Sequence, residues 1–426
     1  MIAFLVAVAA LLVAIGTPIA FAMGGAAVAT FVTFLGHLPL EVVAQRLVNA
    51  VDKYPMLAVP LFILAGELMN TGGLTDRLVN FCRAAIGWIR GGLGLATVST
   101  AVLLSGISGS GTADAAGLAK VLIPAMQKQG YDRRFATSLV AAAATLGPII
   151  PPSIVMVVYA AMTNLSIGKL FLAGVVPGLL IGLVFMATVL IFAVRRGYPR
   201  DEWQGLGHLG RATVAAAGPL AAPALILAGL LFGWYGATEA GVVVVVYSLV
   251  LGFLYGELTW AHVWRACRET AISTAVILFV IAIAAVLGWI LAVGRMPQDI
   301  AAFIRGLAEY RTLVILAIIA VLLFLGLFLD GIAIMVILVP AFIPIAAALQ
   351  MDPIQFAMII ILCIVVGGIT PPVGILLYVT CQVSGTPFRE VTGTIWWFVL
   401  AIMAAVLAVA FMPWLSVALP NAMIGG

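Results

Sequence analysis

The chain has 426 residues, of which 65% are hydrophobic and only 8% are charged, and its formal net charge at pH 7 is +4. A water-soluble domain of this size needs much more polar surface, so the composition excludes one and indicates a polytopic membrane protein. The positive charges flank apolar segments, which makes them signals of membrane topology and argues against binding to nucleic acid.

The N-terminal residues 1–53 are expected to form scaffold helices. Residues 1–36 are almost entirely apolar and would extend about 54 Å as one helix, whereas the hydrocarbon core of a bilayer is about 30 Å thick. Gly16-Thr17-Pro18 is therefore expected to divide them, because proline does not continue a helix. Residues 40–53 mix charged and apolar positions, which is typical of a helix lying at the membrane surface.

A membrane span is predicted next, at 55–72. It carries one acidic residue, Glu67, near its end, and we interpret this carboxylate as a contact at the membrane interface or with another subunit. Thr75–Arg90 then combines a tryptophan with several charges, which predicts a second helix at the membrane surface.

Residues 91–129 are predicted to form a re-entrant hairpin, which enters the membrane and leaves it on the same side. Their apolar parts, 93–105 and 112–126, are each about 20 Å long as helices and penetrate only part of a bilayer. The run between them, Ser105-Gly106-Ile107-Ser108-Gly109-Ser110-Gly111-Thr112, is too polar and glycine-rich to continue a helix. One ordinary helix that ends in a loop is the alternative interpretation.

Two apolar segments, 135–162 and 355–383, each carry a proline pair, at Pro151-Pro152 and at Pro371-Pro372. Proline lacks the backbone N–H and clashes with the preceding turn, so each segment is predicted to be a broken transmembrane helix. A break at membrane depth frees backbone groups that lipid cannot satisfy, and it is tolerated only against protein or a polar cavity. The two breaks therefore predict the binding site of a transported solute.

The remaining spans follow from the apolar segments outside these regions. They are predicted at 170–194, 213–234, 240–256, 271–293 and 394–418. By the positive-inside rule, the arginine-rich flanks of the first hairpin and the loop near residue 200 are cytoplasmic, and the charged loop at 295–311 is a mild exception on the outer side. Residues 201–270 are interpreted as connecting scaffold helices.

A second hairpin is predicted at 312–349, with its turn at Gly326–Gly331. A shift of 220 positions maps the first proline pair onto the second, and it also maps Pro124 onto Pro344, Asp132 onto Asp352, Gly147 onto Gly367 and Lys169 onto Arg389. We infer an internal duplication, with repeats at 54–200 and 271–426. Five predicted crossings separate the two hairpins, and because this number is odd, the second repeat is inverted relative to the first.

Several runs of sequence resemble the large membrane subunit of the TRAP (tripartite ATP-independent periplasmic) transporters, and the resemblance covers essentially the whole chain. These runs are Val59–Met69, Ser105–Ser110, Ile123–Met126, Gly130-Tyr131, Thr145–Ser153, Ser166–Gly174, Thr238–Ala240 and Thr370–Gly374.

The resemblance implies an elevator-type secondary transporter, multi-pass in the bacterial inner membrane. It implies uptake of a small organic acid anion, such as a C4-dicarboxylate or sialic acid, with sodium ions as the coupling ions and no organic cofactor. Two partners are implied, a small membrane subunit of about four helices and a periplasmic substrate-binding protein. Because the chain starts directly on the large-subunit pattern, both partners are expected to be separate polypeptides.

Sodium prefers oxygen ligands, and a hairpin tip beside a broken helix offers carbonyl and hydroxyl oxygens. One sodium ion is expected at the first tip and break, and a second ion at the second tip and break. The two expected sets are Ser108, Gly109, Ser110, Gly147 and Pro148, and Gly326, Asp330, Gly367, Thr370 and Val373. The alternative is that the glycines only permit close packing and the serines only cap helices.

The negative charge of an organic acid's carboxylate also needs a positive partner in the site, yet no lysine or arginine falls inside a predicted span. Helix N-termini and hairpin amides are therefore expected to supply much of the positive field. The expected substrate-binding residues are Ser110, Thr112, Asp114, Asp330 and Thr370. Because a carboxylate near mid-membrane is costly, Asp330 is interpreted as a support for sodium or a partner of a substrate hydroxyl. Helix capping is the alternative for Asp330 and for Asp114.

Three other functions are considered on the sequence alone, and one of them, a pure assembly scaffold, would leave the two hairpin-and-break units unexplained. A stand-alone sodium-coupled carrier of the dicarboxylate or citrate type would need no binding protein, and a neighbouring gene for a four-helix protein would argue against it. An intramembrane enzyme is disfavoured, because no HExxH, GxSxG or pair of aspartates on facing helices accompanies the breaks.

Overall fold

The computed structural model describes residues 1–296, 298–299, 302 and 310–425, which fold almost entirely into helices and include no β-strand. The all-α fold class is confirmed. In chain order the helices are α1 (Ile2–Ala14), α2 (Ile19–Phe34), α3 (Glu41–Val51), a 3₁₀ turn (Tyr54–Leu57), α4 (Ala58–Thr71), α5 (Leu74–Ile86), α6 (Gly92–Ser108), α7 (Gly111–Lys128), α8 (Arg133–Ala144), α9 (Ile154–Thr163), α10 (Ile167–Arg196), α11 (Leu206–Leu231), α12 (Ala237–Leu254), α13 (Trp260–Val293), α14 (Arg311–Gly326), α15 (Gly331–Ala348), α16 (Pro353–Gly367), α17 (Ile375–Ser384), α18 (Phe388–Phe411) and α19 (Trp414–Ile424). The loop predicted at 295–311 lies largely outside the described residues.

Five of the described helices are long and apolar enough to cross a membrane, judged by length and composition. They are α10, α11, α12, α13 and α18. A sixth span results if α3 and the segment Tyr54–Thr71, which meet at 59°, count as one bent span. These helices agree with a multi-pass membrane protein.

The predicted division of the N-terminal apolar stretch is present in the structure. α1 ends at Ala14 and α2 begins at Ile19, with Pro18 at its N-cap. Proline has a φ suited to the start of a helix and no N–H to continue one, so it separates the two helices. The products are two short helices that pack against each other.

The helices pack in two groups. In the first, which we call the scaffold group, α1–α4, α12 and α13 pack on one another, and α11 joins them through α12. In the second, which we call the hairpin group, α6–α9 and α14–α17 pack with α10, α18 and α19. The groups meet where α4 contacts α6 and where α13 contacts α15, and α5 packs between α6 and α11.

A buried aromatic cluster joins both halves of the sequence inside the hairpin group. Phe135 of α8 and Phe185 of α10 lie against Phe398 of α18, with ring centroids 6.1 and 5.5 Å apart. Nearby, Arg134 forms an ion pair with Glu390 at 3.2 Å. Since α8 and α10 precede the connecting helices and α18 follows them, the hairpin group is assembled from both predicted repeats.

The end of α6 differs from the sequence prediction. Ser105–Ser108 is helical, although this run was expected to belong to the turn. The Ser105 hydroxyl donates to Ala101 O at 2.6 Å, so the serine is satisfied within the helix and does not compete with it. The turn is therefore only two residues long.

Several span boundaries also differ, and α11 begins at Leu206 and not near 213. α13 begins at Trp260 and not near 271, because Thr259 caps it by accepting a hydrogen bond from the His262 amide at 3.3 Å. The last span is Phe388–Phe411 in place of 394–418, and the short helix α19 follows it. Pro413 separates α18 from α19, since the residue before a proline is disfavoured in the helical conformation.

Candidate functional site

α6 and α7 form a hairpin in which the start of α6 lies beside the end of α7. Thr97 Oγ1 lies 3.7 Å from Met126 Sδ, and the Gly94 amide donates to the Tyr131 hydroxyl at 3.4 Å. Between the helices lie only Gly109, at a left-handed φ of 62°, and Ser110. The geometry is thus that of a hairpin and not of one helix ending in a loop, while its entry into a membrane stays a prediction.

Hydroxyl groups organise the tip of this first hairpin. Ser110 Oγ caps α7 by accepting from the Ala113 amide at 3.4 Å, and it lies 3.2 Å from Thr112 Oγ1. Across the tip, Ser108 Oγ donates to Asp114 Oδ1 at 2.5 Å. Ser110 therefore performs the capping that was considered for Asp114, and Asp114 ties the first turn of α7 to the end of α6.

The second oxygen of Asp114 faces the first helix break. The residue has 0% exposure, and Oδ2 has no hydrogen-bond partner among the described residues. A Cβ on Gly147 would lie 2.7 Å from this oxygen, so the backbone of the break is directly in front of it. A buried carboxylate oxygen without a donor is costly, and a cation beside it would remove that cost.

The first break runs between α8 and α9 and is bonded to the hairpin tip. Ser153 Oγ donates to Pro148 O at 2.6 Å and accepts from the Met156 amide at 3.2 Å, which caps α9. The Ile154 amide donates to Gly109 O at 3.4 Å. Oxygen atoms of the tip and of the break therefore lie together. The Pro-Pro peptide bond is cis in this break and in the second one.

The second tip, between α14 and α15, and the second break, between α16 and α17, are in direct backbone contact. Gly326 ends α14 and packs on Gly367 of α16, so that a Cβ on Gly326 would lie 3.0 Å from Gly367 Cα. Asp330 is exposed and caps α15, since its Oδ2 accepts from the Ile332 amide at 3.1 Å. In the break, the buried Thr370 hydroxyl donates to Val366 O at 2.6 Å. The close approach of α14 to α16 requires glycine at both Gly326 and Gly367.

One cavity, with a volume of about 570 Å³, lies between the two tips and the two breaks. Nine of the twelve residues expected at the site line it. These are Ser108, Gly109, Ser110, Thr112, Pro148, Gly326, Asp330, Gly367 and Val373. Asp114, Gly147 and Thr370 are buried and do not line the cavity.

Four helices begin at this cavity. The first residues of α7, α9, α15 and α17 line it, namely Gly111, Thr112, Ile154, Val155, Gly331, Ile332, Ile375 and Leu376. Helix N-termini carry partial positive charge, so they favour a bound anion. The described lining residues include no lysine, arginine or histidine, and their two charged members are Glu67 and Asp330.

The scaffold group supplies a wall of the cavity that sequence reasoning missed. Glu67 of α4 and Ser273 of α13 are its polar residues, whereas Glu67 had been interpreted as an interfacial or subunit contact. A carboxylate inside an apolar span was the available signal, because such a group is a functional candidate by default.

Sequence comparisons agree with this architecture. A family model described as "Tripartite ATP-independent periplasmic transporter, DctM component" matches residues 6–415. The chain is 34% identical over 411 residues to the sialic acid TRAP transporter large permease protein SiaM of Vibrio cholerae, with 96% of each chain covered. It is 37% identical over 379 residues to the C4-dicarboxylate TRAP transporter large permease protein DctM of Pseudomonas aeruginosa, with 89% of each chain covered.

Among solved structures, the fold is similar to the crystal structure of the YdaH transporter of Alcanivorax borkumensis, whose topology is described as unusual. The TM-score is 0.63 at 15% sequence identity, over 89% of this chain and 90% of that chain. At this identity the likeness concerns the fold alone.

Proposed function

Because the chain belongs to the DctM family of tripartite ATP-independent periplasmic (TRAP) transporters, and is therefore a transporter component and not an enzyme, we propose that it couples uptake of a small organic acid anion to a sodium gradient. It is a multi-pass protein of the inner membrane. The observation that carries the proposal is the cavity where two hairpin tips, two helix breaks and four helix N-termini converge.

The first proposed sodium site uses oxygen atoms of the first tip and break. Ser108, Gly109, Ser110, Gly147 and Pro148 were assigned to it from the sequence. The unpartnered Asp114 Oδ2 supports this assignment, because it places a buried carboxyl oxygen against Gly147. A sodium ion there would compensate a carboxylate that otherwise lacks a partner.

The second proposed sodium site uses Gly326, Asp330, Gly367, Thr370 and Val373. The contact between Gly326 and Gly367 supports it, because the carbonyl oxygen of Gly326, at the end of α14, lies beside Gly367, at the end of α16. Helix C-termini carry partial negative charge, which favours a cation. The Thr370 hydroxyl, in the break, donates to Val366 O near the end of α16, so its oxygen can offer only a lone pair to an ion.

The substrate carboxylate is proposed to lie between the tips, where the four helix N-termini supply positive field and N–H donors. Ser110, Thr112 and Asp330 line the cavity and are the proposed side-chain contacts. Asp114 does not line the cavity and is proposed to act on the substrate indirectly, by holding Ser108 and by contributing to the sodium site. Sialic acid and C4-dicarboxylates, named for the two relatives, define the class of substrate.

The transport movement is proposed to be an elevator, in which the hairpin group moves along the scaffold group. Matched capping supports two related repeats: Asp132 Oδ1 accepts from the Arg134 amide at 2.9 Å at the start of α8, and Asp352 Oδ1 accepts from the Ile354 amide at 2.7 Å at the start of α16. These aspartates are equivalent under the 220-residue shift. Inverted repeats of this kind support alternating access.

Two partners are proposed for the working transporter, a small membrane subunit of about four helices and a periplasmic substrate-binding protein. Membership of the DctM family supports both, because the family is named as one component of a tripartite system. The binding protein would deliver the substrate to the cavity.

The test is reconstitution of the chain with its small subunit in liposomes, with an imposed sodium gradient and added binding protein. Labelled succinate and N-acetylneuraminic acid are the first substrates. Uptake that requires both sodium and the binding protein is the expected result. Sodium-driven uptake that does not require the binding protein would favour a stand-alone carrier. Uptake that does not require sodium would refute the proposed coupling.

A further inference from the structure

Glu67 stands on the scaffold wall of the cavity, next to the first hairpin tip. The preceding residue, Gly66, touches the tip, since a Cβ on Gly66 would lie 3.0 Å from Ser108 O. Apart from Glu67 and Ser273, the cavity-lining residues of α4 and α13 are apolar or glycine. Glu67 is therefore the charged group of the scaffold that faces the cavity.

The described part of the chain places no basic side chain against this carboxylate. Glu67 forms no ion pair in the described part of the chain, where the ion pairs are Arg83–Asp201, Arg134–Glu390 and Arg196–Asp132. A second carboxylate, Glu269, lies one turn before the cavity-lining Ser273 on the same face of α13, which adds negative charge on the scaffold side. The scaffold wall thus presents a negative field to whatever occupies the cavity.

We propose that Glu67 is a coupling residue, whose charge opposes an organic anion in the cavity when sodium is not bound. The inference rests on the proposed function and names the residue that prevents uncoupled movement of substrate. Sodium ions at the tips offset the charge of the substrate, so the loaded hairpin group passes the scaffold carboxylate. The anion without sodium is repelled by the Glu67 carboxylate, because like charges repel each other strongly where little water separates them.

Removal of this charge has a measurable consequence. A repulsion between two charges across a partly hydrated cavity is large enough to change an equilibrium by about tenfold. Glu67→Gln keeps the size of the side chain, and it is expected to raise sodium-free substrate exchange by about tenfold relative to sodium-driven uptake. The variant should therefore transport with a weakened requirement for sodium.

The experiment uses the complete complex in liposomes loaded with unlabelled succinate or N-acetylneuraminic acid, whichever the wild type transports. Labelled acid and binding protein are added outside, and exchange is measured in choline buffer and in sodium buffer. Glu67→Asp keeps the charge, and Glu41→Gln removes an exposed carboxylate of α3 that does not line the cavity. Both controls are expected to behave as the wild type.

Increased sodium-free exchange in Glu67→Gln, but in neither control, supports the role of Glu67. An unchanged sodium requirement in Glu67→Gln that assembles with the small subunit and unfolds at the wild-type temperature overturns it. If Glu67→Gln does not assemble, Glu67→Ser is the neutral variant judged by the same two results. Wild-type uptake without sodium would instead refute the proposed function, and this inference with it.

Discussion

Asp114 and Gly147 are in contact where the first hairpin meets the first helix break, and a Cβ on the glycine would lie 2.7 Å from Asp114 Oδ2. The carboxylate is buried and receives one hydrogen bond, from Ser108, so its second oxygen is left facing the break. This contact connects a charged side chain to the part of the backbone that borders the cavity.

Gly147→Ala is expected to abolish sodium-dependent uptake. The added methyl group would crowd Asp114 Oδ2 and would lie 3.0 Å from the Gly111 amide nitrogen, so the tip must move away from the break. Overpacking of this kind costs about 1–3 kcal/mol of stability. Uptake and the midpoint of thermal unfolding are the measurements. Gly393→Ala, in α18 with open space around it, is the matched control and should leave both unchanged.

Asp114→Asn is expected to raise the sodium concentration for half-maximal uptake by about tenfold, because the amide keeps the shape but removes the charge proposed to face the ion. Sodium titration of initial uptake rates is the measurement. Asp76→Asn changes an exposed carboxylate of α5 and should leave the titration unchanged. An identical sodium dependence in Asp114→Asn and the wild type would remove Asp114 from the proposed ion site.

Gly326→Ala tests the second tip. Its methyl group would lie 3.0 Å from Gly367 Cα, and both contacting elements are backbone, so neither can give way without separating α14 from α16. We expect a destabilisation of about 1–3 kcal/mol and loss of uptake. Gly210→Ala, in α11 and without neighbours in the direction of its Cβ, is the control. Normal transport by Gly326→Ala would show that close contact of the second tip and break is not required.

Substitution of Gln355 is expected to lower the free energy of unfolding without touching the cavity. This residue is 2% exposed, and its Nε2 donates to Val409 O at 3.0 Å and to Ala410 O at 2.9 Å, which satisfies carbonyls near the end of α18. Gln355→Ala leaves these buried acceptors without a donor, so we expect a loss of about 1–3 kcal/mol. Thermal unfolding in detergent measures it, with the exposed Gln382→Ala as a control.

Asp201 connects α5 to Gln129 at the end of the first hairpin, and this connection is expected to add only modestly to stability. It accepts from Arg83 Nε at 2.6 Å and from Gln129 Nε2 at 2.9 Å, and its bond to Arg83 raises the pKa of that guanidinium. Because Arg83 is partly exposed, a double-mutant cycle of Arg83→Met and Asp201→Asn should show a coupling of only about 0.5–1 kcal/mol. Unfolding at low and high salt is the measurement. A coupling that does not decrease in high salt would contradict a solvent-screened pair.

Much of the fold was predictable because its signals are local. Proline at Pro18 and at the two Pro-Pro pairs interrupts helices whatever surrounds it, and Asp132, Asp330 and Asp352 cap helices by accepting from the amide two residues later. The first hairpin turn followed from glycine and serine between two short apolar helices, and the second from Gly326, Asp330 and Gly331. Where prediction failed, as at Ser105, the hydroxyl was satisfied by a carbonyl one turn earlier, which composition does not reveal.

The sequence alone thus determined an all-α membrane protein with two hairpins and two broken helices, since Gly, Pro and capping residues act over a few neighbouring positions. The tertiary structure decided which side chains meet. Packing of α4 on the first tip places Glu67 at the cavity, and packing of α7 on the break buries Asp114 against Gly147. Thr370 lies within its break but away from the cavity lining. These outcomes depend on contacts between segments far apart in the chain, which no local pattern encodes.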